Sequence, residues 1–419
     1  MLIRSILGAL LLSCPAWAQL PPTAFYVTRG FGHQIYSYTV TGAPLRSLPV
    51  PYPILPIPAT EYVRDVTVHP SGDLYVYNGT AAPFLSIYRS RELRWEHYSD
   101  PRWSTNNVLG LGNVVLFRDQ VFVHSFASRG GLFRFDTVSR TFTHFATDAI
   151  SGFGSIALGQ DGLLYAREGD TDSNVVQVFD PITLARLRTI RLPVGDAIRT
   201  LAVTPRGEIL GVRWLSGELV QYDPQGNPQR TMLLPVINNY ADLNLGPCGE
   251  IALGNRFGYV ALTDISFSAP QVFRAGTEMT MLAFARTDAQ PLESVATIRL
   301  GVPPNPQVYH LGLARPPALG SRWQAWVNPG LVPSPIADFL LIAGAPLELP
   351  LREGTLLVDP SAAGILLSQP TGLPFFLTMP DDCTLLGHTI YTQAGSLNAT
   401  EFGLGNAIDL LVGHFQRRP

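Results

Sequence analysis

The chain has 419 residues, of which 46% are apolar, 38 are glycine and 36 are proline, and this composition excludes a disordered protein. Beyond the N-terminus no apolar run reaches the roughly 18 residues that a membrane-spanning helix needs. All 29 basic residues are arginines, and the formal net charge of −3 argues against nucleic-acid binding.

The N-terminal segment, residues 1–18, has the three parts of a secretory signal peptide. Met1–Arg4 is basic, Ser5–Leu12 is apolar but too short to span a bilayer, and Ala16–Ala18 has the small-x-small pattern of a cleavage site. The sequence therefore predicts a secreted, periplasmic or cell-surface protein that is cleaved after Ala18. Lipidation of Cys14, which follows a Leu-Leu-Ser sequence, is an alternative route to the cell surface.

Two cysteines, Cys248 and Cys383, remain after cleavage. An oxidising compartment would permit a disulfide between them. Because they lie far apart in the sequence, we expect two separate, inert thiols, with pairing as the alternative.

Residues 19–288 contain an internal repeat. Each copy has an alternating apolar run, a glycine turn and a second apolar run, as in residues 65–76, 155–166, 200–211 and 242–253. Glycine suits the tight turn between two antiparallel strands. A degenerate copy over residues 113–124 carries Gln120 at the glycine position.

A second motif, an aromatic residue followed by aspartate, comes after three of these copies. Asp136, Asp180 and Asp223 carry it, and an aspartate can hydrogen-bond to the backbone of its own turn. Each period of 42 to 48 residues therefore holds four short strands, which is typical of a β-propeller blade.

The copies predict an all-β fold, a six-bladed β-propeller closed by pairing of its N- and C-terminal strands. The first blade has three strands near the N-terminus, and its missing inner strand is the apolar segment 279–285. Pairing these two ends would close the ring and remove exposed sheet edges.

The blade motifs resemble those of the NHL-repeat, YncE-like, virginiamycin B lyase-like and gluconolactonase-like propellers. The resemblance covers approximately residues 23–286 and implies the fold, because these families share blades and differ in chemistry.

Residues 289–419 contain proline- and glycine-punctuated strand runs without blade motifs, and a β-sandwich is the simplest interpretation. The order of these runs resembles an uncharacterised C-terminal β domain of secreted proteins from planctomycete-type bacteria, which implies export and a bacterial origin.

The inner strands of a propeller begin, and the second strands end, at one mouth of the central channel. Arginine supplies forked donors for carboxylates, and aromatic rings supply stacking faces for sugars. We therefore expect a carbohydrate, a carboxylate ligand or a cell-surface protein to bind at this mouth. The candidate ligand-binding residues are Arg29, Arg64, Asn78, Trp103, His124, Arg199, Arg213, Trp214 and Arg256.

Three oxygen-bearing residues at inner-strand starts, Asp65, Asn113 and Asp242, are candidate Ca²⁺ ligands. The gluconolactonase-like resemblance implies a metal in this general location, and the virginiamycin lyase-like resemblance implies a histidine base, for which His124 is the candidate.

The sequence has no nucleophile elbow, no zinc-binding helix and no phosphate-binding loop. The absence of catalytic motifs favours an extracellular binding or interaction module. The alternative is an enzyme, either a metal-dependent lactonase-like hydrolase or a virginiamycin B lyase-like enzyme.

Overall fold

The structure is a computed structural model, and it describes residues 25–29, 32–39, 42–51, 63–69, 71–78, 84–101, 112–125, 131–145, 155–168, 174–213, 216–235, 240–246, 248–277, 280–284, 293–312, 318–362, 364–380 and 382–414. Within these residues we find no helix with the length and apolarity to cross a membrane. The predicted signal peptide and Cys14 lie outside them. The chain forms two compact units, one spanning Pro22–Pro291 and the other containing Leu292–Pro419.

In the first unit, the described strands form six four-stranded antiparallel sheets. The first sheet combines three N-terminal strands with one late strand: β1 (Phe25–Arg29), β2 (Gln34–Tyr38), β3 (Pro44–Pro49) and β24 (Thr280–Phe284). The second contains β4 (Val63–Val68), β5 (Leu74–Asn78), β6 (Phe84–Arg89) and β7 (Arg94–Tyr98). The third contains β8 (Gly112–Phe117), β9 (Gln120–Ser125), β10 (Gly131–Asp136) and β11 (Thr141–Phe145).

The remaining three sheets repeat the same order. The fourth contains β12 (Ile156–Leu158), β13 (Leu164–Arg167), β14 (Val175–Phe179) and β15 (Arg186–Arg191). The fifth contains β16 (Ile198–Val203), β17 (Ile209–Arg213), β18 (Glu218–Tyr222) and β19 (Pro228–Leu233). The sixth contains β20 (Tyr240–Leu245), β21 (Glu250–Asn255), β22 (Tyr259–Asp264) and β23 (Gln271–Arg274).

The six sheets are the blades of a closed β-propeller. Their inner strands follow one another around the ring, from β4 to β8, β12, β16, β20 and β24, and β24 returns to β4. The closing pair predicted from the sequence is confirmed, because β1 and β24 pair antiparallel with Phe25 opposite Phe284 and Arg29 opposite Thr280.

The hydrophobic core lies between neighbouring blades. Strand residues alternate in direction, so Val121 and Val123 of β9 are both fully buried and pack with Leu85 and Ile87 of the preceding blade. Similar clusters lie between the fourth and fifth blades and between the fifth and sixth. The period-two alternation in the sequence therefore produces two apolar faces per blade.

The repeat glycines occupy the predicted turns between the first two strands of a blade. They have φ angles between 76° and 85°, in the left-handed region that glycine adopts without strain: Gly72, Gly162, Gly207 and Gly249.

The placement of Gln120 at the glycine position was wrong. The turn in the third blade consists of Arg118 and Asp119, and Gln120 already lies in β9, opposite Phe117. Arg118 adopts the left-handed conformation, with φ of 55°. This turn is shorter than its counterparts, so the aligned glycine position falls inside a strand.

The aspartate motif forms the predicted side-chain turn. Asp136 Oδ1 accepts hydrogen bonds from the backbone N–H groups of Val138 and Ser139 at 2.9 and 2.8 Å, and Asp180 Oδ1 accepts equivalent bonds two and three residues on.

Both described cysteines, Cys248 and Cys383, are disulfide-bonded. The expectation of two inert thiols was therefore wrong, since neither sulfur is a free thiol. Sequence separation is a poor guide here, because the pairing of a cysteine depends on where the fold places it.

The second unit is also built from strands. Its five-stranded sheet has the order β25–β34–β33–β28–β31, and its three-stranded sheet the order β26–β27–β32. The strands are β25 (Val295–Arg299), β26 (Tyr309–Leu311), β27 (Arg322–Val327), β28 (Ala337–Ala343), β29 (Pro346–Leu351), β30 (Gly354–Val358), β31 (Ile365–Pro370), β32 (Phe375–Thr378), β33 (Thr389–Leu397) and β34 (Phe402–Leu411).

The two sheets of this unit share one core, in which Trp323 and Phe375 of one sheet pack with Leu340, Ala394 and Ile408 of the other. This is the predicted sandwich arrangement. Strands β29 and β30 form a separate hairpin, and Cys383–Leu385 forms a 3₁₀ turn.

Candidate functional site

The central channel contains a cavity of about 90 Å³. Residues of five inner strands line it, and most of these are apolar. Its polar lining residues are Asp65, Thr67, Asn113, Ser155, Gln160, Asp242 and Asn244. Asp65, Asn113, Ser155 and Asp242 stand at or near the starts of their strands, as the repeat alignment predicts.

Asp65, on β4, connects its blade to the next one. Its Oδ2 accepts a hydrogen bond from the backbone N–H of Val114 at 2.8 Å and one from Asn113 Nδ2 at 3.3 Å, both on β8. Its Oδ1 accepts the N–H of Val66 at 2.8 Å. Asp65 is 5% exposed. Its carboxyl group therefore accepts the hydrogen bond from the Val114 N–H that water would otherwise accept.

Asp242, on β20, makes the same connection in the sixth blade. Its Oδ2 accepts the backbone N–H of Leu282 on β24 at 2.6 Å and Asn244 Nδ2 at 2.9 Å. Its Oδ1 accepts the N–H of Leu243 at 2.9 Å. Asn244 Nδ2 also donates to the Leu282 carbonyl at 2.7 Å. Asp242 therefore ties the last complete blade to the closing strand.

These residues do not fit the calcium site considered from the sequence. Calcium takes six to eight oxygen ligands, whereas every carboxylate oxygen of Asp65 and Asp242 already accepts N–H donors, and Asn113 presents its amide nitrogen to Asp65. Among the described residues no group of three His, Cys, Asp or Glu side chains could hold a metal ion.

Burial shifts the acidity of both channel aspartates. Burial raises the pKa of Asp242 from 3.8 to about 7, against the lowering effect of its hydrogen bonds to Leu282, Leu243 and Asn244. Burial, and then the negative charge of Asp242, raise the pKa of Asp65 well above 3.8. The negative charge of Asp242 therefore acts on the carboxyl group of Asp65, and both groups line the same cavity.

Arginines from three consecutive blades converge at the channel mouth, the end at which inner strands begin and second strands end. Arg167 ends β13, Arg199 is the second residue of β16, and Arg256 follows β21. Burial, and then the positive charges of Arg256 and Arg167, lower the pKa of Arg199 from its ordinary value to about 9. Burial lowers the pKa of Arg256 as well. We call these three residues the mouth arginines.

His124 lies beside this group, near the end of β9. It is fully buried, and among the described residues neither ring nitrogen has a hydrogen-bond partner. Burial, and then the charge of Arg167, lower its pKa from 6.5 to about 4. The imidazole is therefore neutral at physiological pH.

Three other predicted site residues are engaged within the fold. Arg29 donates to the Ala275 carbonyl at 2.6 Å. Asn78 is 2% exposed and donates to Ser86 Oγ at 2.9 Å. The third, Arg213, forms ion pairs at 2.8 Å with two acids, Asp196 and Glu218.

Arg64 is 6% exposed, and its carbonyl accepts a hydrogen bond from Thr28 Oγ1 at 3.5 Å. The two predicted aromatic residues, Trp103 and Trp214, lie outside the described residues.

Two residues of this site, Arg167 and Gln160, were not among those predicted from the sequence. Arg167 is the last residue of β13 and is 1% exposed, and nothing in the sequence distinguishes it from the buried residues of the strand. Gln160 follows an inner strand, and its Nε2 donates to the Gly246 carbonyl of the sixth blade at 3.0 Å. Its position directly before the Asp-Gly turn is the signal that could have indicated it.

No protein-family model matches the sequence, and no curated protein matches it either. Three solved structures are similar in fold. A protein of unknown function from Bacteroides caccae has 11% identity and a TM-score of 0.45, over 63% of this chain and 99% of that one.

The Dos1 propeller has 15% identity and a TM-score of 0.39, over 61% of this chain and 68% of that one. A streptogramin B lyase has 10% identity and a TM-score of 0.42, over 61% and 74%. At these levels of identity and TM-score, the similarity carries no functional information.

Proposed function

We propose that this chain is a secreted bacterial binding protein whose propeller takes a small carboxylate-bearing ligand, such as a sugar acid, at the channel mouth. The observation that carries the proposal is the convergence of the mouth arginines from three consecutive blades. Burial, together with the positive charges of Arg256 and Arg167, lowers the pKa of Arg199 to about 9.

An anion at this mouth would relieve the repulsion among the three guanidinium groups. Guanidinium groups bind carboxylates through paired, charge-assisted hydrogen bonds, and partial burial strengthens such bonds. Arg256 is exposed and Arg199 is half-buried, so both present surface to a ligand, with Arg167 behind them. Export is supported by the signal-peptide pattern of residues 1–18.

Binding without catalysis is favoured by the state of His124 and the channel aspartates. A general base works best with a pKa near the operating pH, whereas the pKa of His124 is about 4 and its ring is fully buried. The carboxylate groups of Asp65 and Asp242 already accept hydrogen bonds from backbone N–H groups. This geometry therefore supplies neither the general base of a lyase-like enzyme nor the metal ligands of a lactonase-like enzyme.

The test uses isothermal titration calorimetry with citrate and D-glucuronate, and with D-glucose as the neutral control. We expect both anions to bind and glucose not to bind. Arg199→Gln should weaken anion binding by at least about tenfold, since a hydrogen bond to a charged group contributes about 1.5–3 kcal/mol.

Arg230→Gln is the matched control, because Arg230 is an exposed arginine on the outer strand β19 and the substitution makes the same change in net charge. It should leave the affinity unchanged. Absence of anion binding to the wild type, or equal affinities of Arg199→Gln and the wild type, would contradict the proposal.

A further inference from the structure

The channel aspartates hold matching positions in two blades. Asp65 and Asp242 are the equivalent residues of the second and sixth repeats. Each accepts the N–H of the following residue through one oxygen and a backbone N–H of the next blade through the other. The other repeats carry Asn113, Ser155 and Thr200 at this position, which cannot ionise.

The two carboxyl groups are buried and line the same small cavity. They are 5% and 4% exposed and line the same cavity of about 90 Å³, in which they are the ionisable lining residues. The other ionisable side chains on the inner strands are Arg64, Arg199 and Tyr240. His124 lies on the adjacent strand β9.

We propose that Asp65 and Asp242 are a pair of blade-to-blade clamps that share one proton, so that closure of the propeller ring responds to pH. With one proton, the pair holds a single negative charge and both backbone donors keep an acceptor. With none, two buried negative charges line the same cavity, and their repulsion acts at the Asp242–Leu282 bond that closes the ring.

The direction of the pH effect follows from the acidity of the pair. The folded pKa of Asp242, about 7, lies above its ordinary value of 3.8. The stability that the pair contributes is therefore complete below pH 4 and is lost as the pH rises through 7. Between pH 4 and 7 the folded chain holds one proton more than the unfolded chain. The equilibrium constant for unfolding therefore rises by up to about tenfold per pH unit in this range.

The first experiment measures urea unfolding of the full chain between pH 6 and 8.5. We expect the wild type to lose stability with rising pH, and both Asp242→Asn and Asp65→Asn to flatten this dependence. Asp119→Asn is the control, because the Asp119 side chain is 63% exposed, and it should keep the wild-type slope. A wild-type slope in the two clamp variants would overturn the proposal.

The second experiment needs the wild type alone and therefore holds if the variants do not fold. Hydrogen exchange, corrected for its intrinsic pH dependence, should show that β20 and β24 lose protection between pH 6 and 8.5 more than β17 does. Equal changes would overturn the proposal. So would a rise in melting temperature with Ca²⁺, because a bound metal would then replace the shared proton.

Discussion

Burying the side chain of His124 costs the fold free energy that no described hydrogen bond offsets. A buried polar group without a partner costs about 1–3 kcal/mol, and both nitrogens of this fully buried ring lack partners among the described residues. Neutrality limits that cost, because a second positive charge beside Arg167 would be far less favourable.

This predicts a specific acid sensitivity. Because the folded pKa of His124 is about 4, below the ordinary 6.5, its contribution to stability is present above pH 6.5 and is lost as the pH falls towards 4. The loss amounts to about 3 kcal/mol. Urea unfolding at pH 7 and 4 should show a smaller difference for His124→Gln than for the wild type.

The half-buried His33 provides the control for this substitution. His33→Gln should keep the acid sensitivity of the wild type. If His124→Gln is as acid-sensitive as the wild type, the burial of this ring is not what limits stability at low pH.

At the residue scale, the sequence placed the channel aspartates correctly near inner-strand starts but could not assign their role. A carboxylate that binds a metal and one that accepts two N–H groups look identical in a sequence. The difference depends on the register between neighbouring blades, which brings the Val114 and Leu282 N–H groups to within 2.8 and 2.6 Å of the aspartate oxygens.

At the scale of single elements, the outer hairpin turn of every blade uses one left-handed residue. The φ angles range from 53° to 96°, and only two of the six positions are glycine: Gly42, Leu93, Arg140, Leu184, Gly226 and Phe267. A non-glycine residue in this conformation costs about 1–2 kcal/mol. Four blades therefore carry strain in this turn.

Leu93→Gly tests this strain. Leu93 is 76% exposed, so little packing is lost, and relief of the strained backbone should offset the added flexibility of the unfolded chain. We expect the melting temperature to stay the same or rise.

Leu233→Gly is the matched control, because Leu233, on the extended strand β19, is 72% exposed and pairs with Glu218. Glycine in a strand costs about 0.5–1 kcal/mol, so the melting temperature should fall. Equal decreases in both variants would show that the left-handed turn carries no strain.

Most elements could be predicted because each blade repeats the same turn chemistry. The glycine and aspartate turns occur where the motifs indicate. The exception is the third blade, where the two-residue turn at Arg118 and Asp119 replaces the longer glycine turn. A left-handed arginine has no sequence signature, so this turn could not be located from the repeat alone.

At the scale of the whole molecule, the propeller is held together by cores between blades and by the pairing of its first strand, β1, with its last, β24. Leu282 of β24 is 1% exposed and packs with Phe25 and Val27 of β1, and with Val260 and Ala275 of the sixth blade. A smaller side chain at this position would therefore weaken the packing between the first and sixth blades.

Leu282→Ala should therefore destabilise the propeller by about 2–5 kcal/mol. Leu233→Ala, on the outer strand β19 where Leu233 is 72% exposed, should change stability by less than about 0.5 kcal/mol. Urea unfolding followed by circular dichroism measures both. Similar stabilities of the two variants would mean that closure contributes little to the fold.

The ring closure was predictable because the sequence leaves three strands before the first complete repeat and one strand after the last, which together make one blade. The second unit could be predicted only as short strands forming a sandwich. Its detached hairpin, β29 and β30, depends on contacts that no repeat reveals.

The pairing of β1 with β24 also sets the order in which the propeller can fold. Phe25 meets Phe284 only after the whole intervening chain has been synthesised and positioned, and contacts so distant in sequence form slowly. Until then β1 has no partner on the edge that β24 later covers, and an open strand edge can pair with another chain. The last step of folding is thus also the one during which this protein is most exposed to aggregation.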